Sequence, residues 1–239
     1  MNFIQNTNSI GMKNESSLHI QIKQWYFQDG DKVEVPVGSY IIDIVRENLL
    51  IEIQTKNFSA MKRKLKDLLN EHKVRVIHPI AVTRHITYLT TDSDGNVQYT
   101  TRKSPKKGTL LDVFNELIRI TDFLDNPNLE LEILLIHEEE LRCNDGKGSW
   151  RRKGVSITDR QLKDVHESYI FKNKQDYLNM LPPNLPEFFT TKTLAKALGI
   201  KVNTSRKIAY CLKKINVIRQ IGKEGNMLVY TRCLININC

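Results

Sequence analysis

Apolar residues recur at two different spacings along the chain, and the switches between them outline its elements. Leu18, Ile22, Trp25 and Tyr26 fall at helical spacing, which predicts a helix over 15–27 that Asn14 caps and Asp29-Gly30-Asp31 ends. The period then drops to two, predicting strands over 32–37, 40–46 and 49–55, separated at Gly38 and at Glu47-Asn48. Asn57-Phe58-Ser59 opens a second helix over 60–71, with Met61, Leu65, Leu68 and Leu69 on its apolar side. Further strands are expected over 74–80 and 85–90, the latter joined through 92–96 to a strand ending near Arg102. A helix over 110–119 and a strand over 130–137 follow.

The C-terminal part has a second layout. Thr190 or Thr191 caps a short helix whose inner side is Leu194, Ala195 and Leu198, and Gly199 ends it. Another helix runs from Asn203 or Thr204 to about Lys214, with Ile208, Ala209, Leu212 and Ile215 apolar. Strands over 217–221 and 227–232 then form a hairpin. The polar, glycine-bearing stretch 144–154 places a linker at 146–155 between domains at 1–145 and 156–239, with an opening helix at 158–171.

Charge supports that division. Residues 1–145 carry 18 Lys/Arg and 21 Asp/Glu, a balance of −3, whereas residues 146–239 carry 18 and 6, a balance of +12. An excess confined to one part points to a polyanionic partner for that part. No apolar run reaches the roughly 18 residues of a membrane span, and the first ten residues lack the charged-then-apolar export pattern. Cys143, Cys211, Cys233 and Cys239 form no CxxC pair, so free thiols in a reducing cytoplasm are expected.

The sharpest local pattern is a carboxylate hairpin. With Glu47-Asn48 as the turn, Val45 faces Leu50 and Asp43 faces Glu52. Asp43, Glu52 and Gln54 then share one side of the sheet, and Ile42, Ile44, Ile51 and Ile53 the other. Like charges opposed across strands destabilise a sheet, and a divalent cation bridging them would compensate. Mg²⁺ (or Mn²⁺) takes oxygen ligands and can lower the pKa of an attacking water. The alternative is an ordinary amphipathic hairpin with its acidic side in solvent.

An Asp on one strand and Glu-x-Gln on the next, with a helix before and a helix and strand after, resembles the PD-(D/E)XK nuclease superfamily over 15–80. That resemblance implies an α/β fold: a restriction-endonuclease-like mixed sheet flanked by helices. It casts Asp43 and Glu52 as metal-binding acids and Glu15 as an additional acid. Gln54 stands where the family usually has Lys, and can orient water without supplying charge. Lys56 can supply that charge or be a solvated strand end. The whole chain also resembles a group of uncharacterised bacterial proteins with the same EIQT run, 52–55 here, and a similar C-terminal domain. Many members of the superfamily dimerise, so a homodimer is compatible with the resemblance.

The C-terminal pattern resembles the winged helix-turn-helix family over 156–232. It implies that Lys201, Thr204, Ser205, Arg206 and Lys207 meet DNA in the major groove, with Lys223 at the wing tip. Arg102, Lys103, Lys106 and Lys107 form a basic loop suited to phosphates or to solvent. Trp25, Tyr26 and Trp150 are candidates for base stacking, with core packing the default. Glu138-Glu139-Glu140 reads as a solvated strand end. Three functions follow: a metal-dependent DNA endonuclease guided by a winged helix, a non-catalytic DNA-binding or regulatory protein with a silent nuclease-like domain, or a protein-binding adaptor that never touches DNA.

Overall fold

The computed structural model describes residues 16–91 and 96–233. Helix α1 (Ser17–Tyr26) is capped by Ser16, whose hydroxyl accepts the His19 N–H, and it buries Leu18, Ile22 and Tyr26. The Asn14 cap and Glu15 lie outside the described residues. Strands β1 (Lys32–Val37), β2 (Tyr40–Arg46) and β3 (Leu49–Ile53) form an antiparallel meander. Val45 pairs with Leu50, as a turn at Glu47-Asn48 requires, and Glu47 takes the left-handed conformation there with φ +51°.

A short 3₁₀ turn (Phe58–Met61) and α2 (Lys62–Leu68) carry the chain across to β4 (Lys73–Thr91), which lies parallel to β3. β5 (Val97–Lys103) pairs antiparallel with the far half of β4. After a 3₁₀ turn (Leu110–Val113) and α3 (Phe114–Leu117), β6 (Leu129–Cys143) runs parallel to β4 on its other side, and β7 (Ser156–Phe171) antiparallel to β6. The sheet order is β1-β2-β3-β4-β6-β7, with β5 beside β4. The architecture is α/β, a large mixed sheet flanked by helices. α1 packs Leu18 and Ile22 against Ile44, Ile51, Ile53 and Ile77 on one face. α2 packs Leu65 and Leu68 against Ile42, Leu50, Val74 and Val76 on the other.

Two expectations are corrected. Residues 74–80 and 85–90 belong to one strand, because β6 pairs along its whole length and only a register shift between Ala81 and Thr83 marks the polar break. Residues 158–171, expected as a helix, lie in β7, and 146–155 connect two paired strands rather than two domains. The antiparallel ladder with β6, the preceding strand, overrides local helical spacing there.

β4 carries a proline in its interior. On the edge away from β6, β3 ends opposite Ile77 and β5 ends opposite His85, so β4 has no neighbouring strand on that side between them. The Ile77 and Ala81 carbonyls point into that gap, accepting the Gln54 N–H at 2.8 Å and the Gly108 N–H at 2.9 Å. Pro79 lies between them in the same alternation, so its missing N–H falls where no strand needs it. Gly108 docks the basic loop on this edge. A Cβ there would stand 2.6 Å from both the Ala81 oxygen and Ile80 Cγ2. Gly108→Ala is therefore expected to cost about 1–3 kcal/mol, seen as a lower denaturant midpoint with unchanged slope.

The remainder comprises α4 (Lys174–Leu178), β8 (Phe189–Thr190), α5 (Thr191–Leu198), α6 (Val202–Lys214), β9 (Ile218–Glu224) and β10 (Met227–Arg232). Its three strands are ordered β8-β10-β9. Thr190 caps α5, and Gly199 ends it in the left-handed region at φ +64°. Phe189, Leu194, Ile208 and Leu212 share one core with the α2 side of the large sheet. No helix among the described residues is long and apolar enough to cross a membrane.

Candidate functional site

The β2–β3 ladder stops at Ile44–Ile51, and the two acids sit where the strands part. Neither faces solvent, as an ordinary amphipathic hairpin would have it: Asp43 is 9% exposed and Glu52 8%. Side-chain alternation also breaks there, since Ile42 joins the α2-side core and Ile44 the α1-side core. Asp43 turns toward α1. Its Oδ2 lies 3.2 Å from His19 Nε2 and accepts the Ile53 N–H at 2.8 Å, while Oδ1 lies 3.5 Å from Lys23 Nζ. Lys23 also pairs with Glu34, which β1 holds at φ +53°.

Glu52 turns toward α2. Its Oε1 lies 2.6 Å from Lys64 Nζ, a close ion pair. The same ammonium also donates to the Ile41 carbonyl at 2.8 Å. The two carboxyls titrate in opposite directions. Burial works against the Asp43 anion, but His19, the Ile53 N–H and Lys23 outweigh it and hold the carboxyl below its ordinary range. Burial, reinforced by the Asp43 charge, pushes Glu52 up to about 7 despite Lys64.

Each acid is met by cations of the chain itself, Asp43 by Lys23 and His19 and Glu52 by Lys64. An ion between the acids would have to displace lysines arriving from two helices on opposite faces of the sheet. Among the described residues, no group of three His, Cys, Asp or Glu side chains converges on one point. Glu15, expected as a further acid, lies outside the described residues. Gln54 does not face the acids either. Its amide donates to the Lys56 and Asn57 carbonyls, and its own backbone carbonyl accepts from His78 Nδ1 at 2.7 Å. Lys56 is exposed beside it.

A cleft of about 880 Å³ opens at the gap in the sheet, lined by His19, Gln54, Lys56, Arg84, Glu138 and Arg160 among others. A smaller one, about 240 Å³, shares Lys56 and Arg84 and adds His78, Lys106 and Glu116. The crevice beyond the carboxyl end of β3 is where parallel α/β sheets commonly bind ligands. The glutamates of β6 are not a solvated strand end, because the sheet continues past them. Glu138 pairs with Arg84, Glu140 with Arg142 and Arg160, and Glu139 with Lys163. Arg102 and Lys103 belong to β5 rather than to a loop; they, Lys106 and Lys107 are all exposed.

In the C-terminal part the expected residues divide. Lys201 and Arg206 are exposed on α6 and its cap, and Lys223 on β9. Ser205 is fully buried: its Oγ lies 2.6 Å from the Thr191 carbonyl oxygen and ties α6 to the start of α5. It is a packing residue, and no DNA can reach it. Thr204 is half-buried, and Lys207 donates to Asn115 Oδ1 at 2.7 Å, facing α3. The outward face of α6 holds residues that sequence reading passed over: Asn203, Tyr210 (43% exposed), Lys213 and Lys214. The spacing of Asn203, Arg206, Tyr210 and Lys213 on the helix was the available signal.

No solved structure matches the chain. A Treponema pallidum (strain Nichols) protein, described as "Uncharacterized protein", is 34% identical over 219 residues, which cover 91% of this chain and 85% of that one. The family model described as "Domain of unknown function (DUF8091)" matches residues 16–172, from the cap of α1 to just past β7. The chain belongs to the DUF8091 family.

Proposed function

We propose that the protein binds duplex DNA through residues 173–233, acting as a winged helix-turn-helix, on a restriction-endonuclease-like scaffold that is catalytically silent. The observation that carries this reading is where the charge lies. Residues 173–239 hold 11 Lys/Arg and 3 Asp/Glu, a balance of +8, against 25 and 24 in residues 1–172, a balance of +1. The excess coincides with a helix, a tight glycine turn, a second helix and a hairpin. It includes Arg206, Lys213 and Lys214 on the outward side of α6, and Arg219 and Lys223 on β9, all exposed.

In this reading α6 enters the major groove. Asn203 and Arg206 reach base edges, Lys213 and Lys214 meet phosphates, and the β9–β10 hairpin lies along the backbone. Ser205 keeps the angle between α5 and α6 by its bond to the Thr191 carbonyl. The scaffold's acids serve the fold. Asp43 satisfies the Ile53 N–H that the interrupted ladder leaves without a strand partner.

Two measurements test the reading. Fluorescence anisotropy with a labelled duplex is expected to give binding that weakens steeply as salt rises. Supercoiled plasmid incubated with Mg²⁺ or Mn²⁺ is expected to stay intact. Cleavage that disappears in both Asp43→Asn and Glu52→Gln would restore the nuclease reading and remove the silent scaffold.

A further inference from the structure

The connection between β6 and β7 projects an aromatic ring among cations. Trp150 is 82% exposed, the highest exposure of any large apolar side chain described. The Arg151 guanidinium lies over one side of its ring, 5.4 Å from the centroid, and leaves the other side open. Lys147, Arg151, Arg152 and Lys153 lie within three residues of it in the chain, and residues 146–155 contain no Asp or Glu.

Hydrogen bonds hold this tip in shape. The Gly148 N–H donates to the Gly154 carbonyl at 2.8 Å, and Arg152 Nε donates to the Val155 carbonyl at 3.1 Å. A Cβ on Gly148 would stand 1.8 Å from the Val155 oxygen, so only glycine allows the closure. Lys153 takes the left-handed conformation at φ +51°. An ordered loop that keeps an indole in water loses the burial such a ring normally gains.

We propose that this tip stacks Trp150 on an unpaired base of DNA, with Lys147, Arg151, Arg152 and Lys153 on the flanking phosphates. A flat ring amid cations matches single-strand recognition, where every base offers a π-face and stacking tolerates any sequence. Bases inside an intact duplex are already stacked on each other. The inference deepens the DNA-binding reading and rests on it for the choice of DNA, but it uses different residues from α6. It gives the protein a second contact, suited to DNA with a single-stranded gap or frayed end.

The chain has two tryptophans, so Trp25→Phe leaves Trp150 as the sole reporter. Oligothymidylate is expected to quench that emission, whereas blunt duplex is not. Trp150→Ala is expected to weaken oligothymidylate binding about tenfold, and Trp150→Phe to restore most of it. Neither variant is expected to alter duplex affinity. Emission unmoved by oligothymidylate, or answering only to phosphatidylglycerol vesicles, overturns the inference in favour of no ligand or a membrane surface. If duplex binding is absent but oligothymidylate still quenches Trp150, the α6 reading falls and the tip stands. If duplex binding depends on α6 and Trp150→Ala changes nothing, the tip falls and α6 stands.

Discussion

A variant with Arg206→Ala, Lys213→Ala and Lys214→Ala is expected to bind duplex DNA roughly a hundredfold more weakly at about 0.15 M salt, because each lost phosphate contact removes about 0.9 from the slope of log K against log salt. At that ionic strength the two phosphate contacts of Lys213 and Lys214 contribute about 0.7 of a decade each through counterion release, and loss of the Arg206 base contact, about 1 kcal/mol, supplies the rest. All three side chains are exposed on α6, so their removal exposes no core and leaves no buried partner unpaired. The measurement is a set of anisotropy titrations across salt concentrations, comparing wild type with the triple variant. A control changing Lys62, Arg63 and Lys66, exposed cations of α2, removes equal charge at another site. If the control weakens binding as much as the α6 variant does, net charge alone attracts DNA and α6 has no special part. If neither changes the slope, the protein does not bind nucleic acid through this helix.

The C-terminal elements were legible because their signals are local. Thr190, Gly199 and the apolar residues of α5 and α6 act within one or two turns, and the structure uses each as the spacing implies. The β2–β3 register was legible for the same reason, since a two-residue turn at Glu47-Asn48 fixes it. What surrounds the two acids was not legible. Asp43 is held from 24 residues away by His19, and Glu52 from α2 by Lys64, so pairing depends on where two helices land. β7 was hidden for a different reason. Its charged, partly exposed sequence suits a helix face as well as an edge strand, and only its ladder with β6 decides between them. Glu138 and Glu140 are buried with cations from both neighbouring strands, Arg84 of β4 on Glu138 and Arg160 of β7 on Glu140.

The acid pair yields the other large effect, and its sign separates a structural role from a metal site. Glu52 ionises at about 7 in the folded protein, above its ordinary 4.5. Below about 4.5 the carboxyl is protonated in both states and costs nothing. As pH rises from there to 7 the unfolded chain releases the proton while the folded protein keeps it, so stability falls. Above 7 the penalty is complete, about 3 kcal/mol at 1.36 kcal/mol per unit. Asp43 behaves oppositely: its folded pKa lies below its ordinary 3.8, so its stabilisation is present above that value and is lost as pH falls through the folded pKa. At pH 8, Asp43→Asn is therefore expected to destabilise by about 1–3 kcal/mol, since it leaves Lys23 without its carboxylate and weakens the bonds to His19 and the Ile53 N–H, less the repulsion of Glu52 that it relieves. Glu52→Gln is expected to leave the protein at least as stable as wild type at pH 8, and to flatten the decline between pH 4.5 and 7. Urea unfolding of the metal-free protein across that range reads both effects. Acids gathered to hold a cation repel each other when it is removed, so neutralising either one then stabilises the fold. Gains from both substitutions at pH 8 would mark the pair as a metal site and return the nuclease reading. Opposite signs would mark it as part of the scaffold.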